Sequence, residues 1–228
     1  MSGVEAGRLA TVETYARLAV ALGLSLEVVV ADRRRRSGRE PTDFVHASMG
    51  EIEASWLQRH AYRVAIDHPY QHYQFAGRAD VVAWSVDPMA LLHIENRTRF
   101  PDLQSAAGSF NAKRQYLART VAEQHGIGPF ASETHVMVGL WSAEVIHAVR
   151  LRKASFRALC PDSDDRLQAW LRGQPPPTRE SSSFVLLDPF ARGRQRHTVG
   201  LADALDGVRP RVRGYRDAAE RSREARTR

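Results

Sequence analysis

The spacing of apolar residues along this chain predicts alternating helices and strands. Apolar positions recur at helical spacing over three segments, residues 10–22, 43–60 and 103–125. Runs rich in β-branched and aromatic residues predict strands over 24–30, 62–66, 79–84, 90–95 and 134–141. Two of these strands flank a short turn with Asp87-Pro88, which is typical of a hairpin.

The remaining pattern is less regular. Residues 67–74 are polar and aromatic, and residues 173–183 contain consecutive prolines, so both predict loops. We expect a mixed strand-to-helix stretch over 143–157, a short helix over 166–171 and a last strand over 184–189. From residue 43 the order is helix, three strands, helix, strand, which predicts an α/β fold with a mixed central sheet flanked by helices.

Charge separates the end of the chain from its body. The 228 residues carry a formal net charge of +7, and from Arg192 onward there are 11 Arg against 5 Asp or Glu. A basic segment attracts phosphates in general, so DNA is the expected partner. We expect this tail to be poorly ordered or helical. Lysine is rare: Lys113 and Lys153 are the only lysines among 33 basic residues.

Cysteine usage and hydropathy bear on the compartment. Cys160 is the single cysteine, which excludes an intrachain disulfide and fits a reducing compartment. The longest apolar stretch, residues 18–31, contains Glu27 and is too short to cross a membrane. Acids precede it and Arg33–Arg36 follow it, which is the wrong charge order for export. We therefore expect a cytoplasmic protein without a membrane segment.

Two acids lie in the predicted hairpin. Asp80 is near the start of one strand and Glu95 at the end of the next, so the hairpin brings them close together. Acids in apolar strands are costly unless their charge is offset, and oxygen ligands of this kind suit Mg²⁺ or Mn²⁺. The alternative is a pair of strand-end acids satisfied by turn amides or an arginine.

The spacing of these residues resembles a known nuclease signature. Asp80 followed fifteen residues later by Glu95-Asn-Arg97 is similar to the Asp…Glu-x-Lys motif of the PD-(D/E)xK nuclease superfamily. The flanking segments resemble actinobacterial proteins that join a lambda-repressor-like (XRE) helix-turn-helix to a nuclease-like domain. The supporting matches are Thr14–Val30, His46-Ala47 with Glu51, Gly77–Trp84, Asp102-Leu-Gln104, Lys113-Arg114 and Trp170-Leu-Arg.

The resemblance implies a domain plan and a fold. Residues 1–31 match the last helix and strand of the helix-turn-helix domain, without its recognition helix. Residues 32–42 form a linker, residues 43–190 a restriction-endonuclease-like domain, and residues 191–228 the basic tail.

The resemblance also assigns roles at the site. Asp80 and Glu95 become metal ligands for Mg²⁺ or Mn²⁺, and Glu51 a third acid that binds the ion directly or through water. Arg97 stands in the lysine position, and Gln104 supports the site from the next helix. Arginine can pair with a phosphate but cannot act as a base, which departs from the motif.

Three functions follow from these residues. The first is metal-dependent hydrolysis of DNA phosphodiesters. The second is a catalytically degenerate nuclease fold that binds DNA or regulates transcription. The third is an interaction module, with a homodimer formed through residues 10–30.

Overall fold

A computed structural model describes residues 11–23, 44–72, 75–191 and 195–226. The chain divides into two compact units, residues 1–42 and residues 43–228. In the first unit a short helix, α1 (Val12–Ala21), begins at Thr11, whose side chain accepts a hydrogen bond from the Thr14 amide (3.3 Å). The strand predicted over 24–30 and the linker predicted over 32–42 lie outside the described residues.

The second unit is built on a six-stranded mixed sheet with the order β1-β2-β3-β4-β5-β6. The strands are β1 (Arg63–His72), β2 (Phe75–Val86), β3 (Met89–Arg97), β4 (Ser132–Leu140), β5 (Arg179–Leu187) and β6 (Thr198–Gly200). The first three pair antiparallel, β3, β4 and β5 run parallel, and β6 returns antiparallel. The predicted α/β class, with a mixed sheet flanked by helices, is confirmed.

Helices cover both faces of this sheet. They are α2 (Phe44–Leu57), α3 (Leu103–His125), α4 (Ala143–Leu151), α5 (Lys153–Leu159), α6 (Asp165–Leu171), α7 (Leu201–Leu205) and α8 (Tyr215–Arg226). None of the helices in the described ranges combines the length and apolar composition that a membrane crossing requires.

Alternation along β3 assigns each residue to one face. Leu92 and Ile94 are buried in one cluster with Met49 of α2, whereas Leu91 is buried in another with Leu117 of α3. Successive side chains of a strand point to opposite faces, so α2 covers one side of β3 and α3 the other.

The prediction of a loop over 67–74 is wrong for residues 67–72, because β1 continues to His72, while residues 73–74 lie outside the described residues. Its side chains alternate between buried His68 and Tyr70 and exposed Pro69. β1 is an edge strand, and edge strands are where proline is tolerated in a sheet. Asp67 has a left-handed backbone with φ of 53°. This local irregularity interrupts the alternation of apolar and polar residues from which a strand is predicted.

Two further segments are more ordered than predicted. β5 begins at Arg179, inside the loop predicted over 173–183, because its buried serines find hydrogen-bond partners: the Ser182 hydroxyl donates to the Leu159 carbonyl (2.9 Å). The mixed stretch over 143–157 resolves into the helices α4 and α5.

The arginine-rich C-terminal segment is part of the folded unit. It contributes β6, α7 and α8, and α8 packs against α2. Val199, Val212 and Ala218 are buried in the main core. The expectation of a helical tail therefore holds for residues 215–226, but the segment is anchored by its own apolar residues.

Candidate functional site

The hairpin acids lie where β2 and β3 stop pairing. The backbone pairing of these strands ends at Val81 and Ile94. Beyond this point the Asp80 Oδ2 atom accepts a hydrogen bond from the Asn96 amide (2.6 Å). The Asp80 carboxylate thus satisfies a backbone amide at the carboxyl end of β3. This hydrogen bond fixes the positions of Asp80 and Asn96 relative to each other.

Glu95 points to the α3 side of the sheet and is held by two cations. Lys113 of α3 donates to Glu95 Oε2, and the Arg97 Nη2 atom is 2.7 Å from Glu95 Oε1. Glu95 is 1% exposed and Lys113 is 4% exposed, so this ion pair is almost fully removed from water. Burial by itself would raise the pKa of Glu95, but the nearby His93 imidazole and the charges of Lys113 and Arg97 hold it at about 2.

Two histidines continue this cluster into the sheet. The His93 Nε2 atom is 3.5 Å from Glu95 Oε2, and its Nδ1 atom is 3.3 Å from Nδ1 of His135, its cross-strand neighbour. The His135 Nε2 atom is in turn 3.3 Å from an oxygen of Glu133. Burial lowers the pKa of His93 to about 4, so this ring is neutral near pH 7.

A second polar cluster lies on the α2 side. The Asn96 Nδ2 atom donates to Glu53 Oε2 (2.8 Å), and His46 Nε2 is 3.2 Å from Asp80 Oδ2. Burial raises the pKa of Glu53 to about 8; the hydrogen bond from Asn96 opposes this shift and the charge of Asp80 adds to it. The Asn96 Oδ1 atom is buried without a hydrogen-bond partner. This cluster therefore has a protonated acid and an unsatisfied oxygen next to Asp80.

A cleft of about 490 Å³ opens beside both clusters. It is lined by His46, Asn96, Arg97, Thr98, Arg99, Pro101, Asp102, Ser105, Ala106 and Ser109. Its acid, Asp102, is the N-cap of α3, where Oδ1 accepts hydrogen bonds from the amides of Gln104 (2.9 Å) and Ser105 (3.1 Å). Arg97 and Arg99 thus give the cleft an excess of positive charge.

The structure separates the residues that the motif predicted to converge. Asp80 contacts the α2 side, whereas Glu95 contacts Lys113 on the α3 side. Glu51 is on the exposed side of α2, and Gln104 has an exposed side chain whose backbone amide serves the helix cap. Arg97 turns back onto Glu95 and also donates to the Asn96 carbonyl (3.0 Å).

Two buried charged residues beside the hairpin acids, Glu53 and Lys113, were not predicted to be there, although the sequence contains a signal for each. Glu53 continues a buried stripe on α2 at steps of four, after Val45 and Met49 and before Leu57. An acid on such a stripe faces the core, unlike Glu51. The signal for Lys113 is its type, because almost every other basic residue of the chain is arginine.

The α2 side offers oxygen atoms without a cation partner, whereas the predicted pair includes an acid that is already paired. Across residues 11–23, 44–72, 75–191 and 195–226, no group of three or more His, Cys, Asp or Glu side chains is arranged to hold a metal. Glu95 already has its charge offset by two cations. Asp80, Glu53 and the unpartnered Asn96 oxygen are oxygen donors of the kind that Mg²⁺ and Mn²⁺ prefer.

Comparison with protein-family models and with curated proteins found no match for this chain. The fold class therefore rests on the sheet and helices described above. Membership of the nuclease superfamily stays a prediction from the motif residues.

Proposed function

We propose that this chain is a cytoplasmic nuclease-type protein that binds DNA through its backbone phosphates. The observation that carries the proposal is the cleft at the carboxyl end of β3, where Arg97 and Arg99 line a hollow at the start of α3. The cleft acid Asp102 accepts hydrogen bonds from two backbone amides, whose dipoles offset part of its charge.

The two arginines of the cleft favour a phosphate as the ligand. Arginine presents a planar array of donors that matches phosphate oxygens. The Arg99 guanidinium is exposed, and among the described residues its only contact of note is the Tyr215 ring, 4.9 Å from its centroid. It is therefore available to a ligand without breaking an ion pair.

The proposal is tested by the salt dependence of DNA binding. Fluorescence anisotropy of a labelled 20-base-pair duplex, measured at several NaCl concentrations, gives the slope of log affinity against log salt. Arg99→Gln removes one phosphate contact, and the slope becomes shallower by about 0.9. The control is Arg63→Gln, which removes the same charge from an exposed position on β1. A wild-type protein that binds no DNA at 50 mM NaCl overturns the proposal.

A second candidate function is metal-dependent hydrolysis of the bound phosphodiester. The observation that favours it is the oxygen-only donor set of Asp80, Glu53 and Asn96 Oδ1 beside the cleft. These residues would hold Mg²⁺ or Mn²⁺, which would polarise the phosphate and activate a water molecule. Arg97 would exchange its contact with Glu95 for the phosphate, and His46 would hold the Asp80 carboxylate in place through its ring nitrogen.

Calorimetric titration with Mn²⁺ and nicking of supercoiled plasmid test this candidate together. We expect saturable Mn²⁺ binding and nicking in the wild type, and loss of both in Asp80→Asn with DNA affinity retained. Glu51→Gln is the matched control, because that acid is exposed on the same helix as Glu53. If the wild type neither binds Mn²⁺ nor nicks plasmid, the chain binds DNA without cutting it.

A further inference from the structure

The arginine-rich C-terminal segment is held beside the cleft by specific contacts. The Trp141 indole nitrogen donates to the Arg209 carbonyl (2.9 Å), and Val212 forms a parallel bridge with Ser142. Ala218 of α8 is fully buried. The arginines of this segment therefore have defined positions relative to the sheet.

A second hollow, of about 830 Å³, lies between this segment and the loop after β3. We call it the α8 hollow; it is lined by Arg99, Glu144, Arg213, Gly214, Tyr215, Arg216, Asp217, Glu220 and Arg221. Arg99 lines both this hollow and the cleft. The two depressions therefore meet at the Arg99 side chain, which rests over the Tyr215 ring.

The charges in the α8 hollow are unequally available to a ligand. Arg213 and Arg216 are exposed, and neither forms an ion pair among the described residues. Of the acids, Asp217 is occupied, since it accepts from the Arg213 amide (2.9 Å) and pairs with Arg221 (3.2 Å). Glu144 and Glu220 contribute two negative charges, against the three positive charges of Arg99, Arg213 and Arg216. The net charge that the hollow offers to a ligand is therefore positive.

We propose that the cleft and the α8 hollow form one surface, joined at Arg99, that holds neighbouring phosphates of a single DNA backbone. This inference rests on the proposed function, because it extends the binding surface away from the cleft. Phosphates recur along a strand, so a backbone seated in the cleft continues across Arg99 into the hollow. Arg213 and Arg216 then bind the phosphates next to the one held by Arg99.

The test is the salt slope of the full chain with Arg213→Gln/Arg216→Gln. We expect the slope to become shallower by about 1.8 with duplex DNA, or by about 1.4 with a single strand, because each lost phosphate contact removes about 0.9 or 0.7. For the duplex, raising NaCl from 50 to 200 mM then weakens binding by the wild type about 12-fold more than binding by the variant. Running both substrates shows which form of DNA the surface takes.

The control carries the same change in net charge. Arg63→Gln/Arg172→Gln removes two exposed arginines that line neither depression, and its slope stays at the wild-type value. An unchanged slope in the Arg213/Arg216 variant overturns this inference while DNA binding and the Arg99→Gln effect preserve the proposed function. Equal changes in both double variants overturn it too, because net charge then explains the effect. A wild type that binds neither substrate overturns both proposals.

Discussion

The buried ion pair between Lys113 and Glu95 leads to the sharpest prediction about stability. Lys113→Met keeps most of the side-chain volume but removes one of the two cations that offset the charge of Glu95. Both members of the pair are more than nine-tenths buried. Breaking such a pair by removing one partner costs about 3–5 kcal/mol, because an uncompensated charge is left out of water. We expect the lower half of that range, since Arg97 still contacts Glu95 Oε1 (2.7 Å).

Urea unfolding followed by tryptophan fluorescence measures this loss. All four tryptophans lie in residues 43–228, so the signal reports on the unit that contains the pair. The matched control is Arg119→Met on the same helix, whose pairing with Glu123 is exposed and contributes less than about 1 kcal/mol.

The double variant Lys113→Met/Glu95→Gln should recover much of the lost stability, because the uncompensated charge is gone. The reasoning is refuted if Lys113→Met is no more destabilising than Arg119→Met. It is also refuted if adding Glu95→Gln restores nothing.

Four further outcomes follow from the same structure. The pKa of Glu53 is raised to about 8 from an ordinary 4.5, so unfolding releases a proton between these values and stability falls as the pH rises through them. Glu53→Gln should remove this loss, about 1.4 kcal/mol per pH unit inside the window, in urea titrations at pH 5, 6.5 and 8. The pKa of Glu95 is lowered to about 2, so its contribution is complete above pH 4.5 and is lost as the pH falls towards 2; Glu95→Gln should flatten that acid limb. Gly139→Ala places a methyl group 2.9 Å from Phe184 and should cost about 1–3 kcal/mol. On α3, a methyl group added by Gly108→Ala meets no atom within 4 Å and should stabilise by about 0.5–1 kcal/mol, and urea unfolding measures both glycine variants.

The sequence predicted the sheet wherever burial follows a simple period. β3 reads as a strand because it is apolar on both faces, as a strand covered by helices on both sides must be. The predicted strand begins at residue 184, after the actual start of β5 at Arg179, because Ser181–Ser183 look like loop residues. Their burial depends on partners such as the Asp162 carboxylate, which accepts from the Ser182 amide (2.9 Å), and such distant contacts leave no local pattern.

The candidate site was predicted in its strands but not in its partners. Asp80 and Glu95 follow from the hairpin, and both lie where β2 and β3 separate. The motif match pointed to Glu51, which is exposed on α2, whereas Glu53 lies on the buried stripe spaced by four residues. No sequence rule tells that Lys113, eighteen residues beyond Glu95, reaches its carboxylate, because this depends on how α3 lies on the sheet.

The alternation of β3 also determines which functions can be separated by mutation. Glu95 and Asn96 are neighbours in sequence, yet one contacts α3 and the other contacts α2. The charge of Glu95 is balanced by protein cations, so its ionisation does not require a metal ion on the other side of the sheet. Changes on the α3 side should therefore act first on stability, and a change at Asp80 on the proposed metal binding. A single pair of variants, Glu95→Gln and Asp80→Asn, tests this division by comparing urea stability with Mn²⁺ affinity. Equal effects of both variants on both quantities would mean that the two faces form one coupled site.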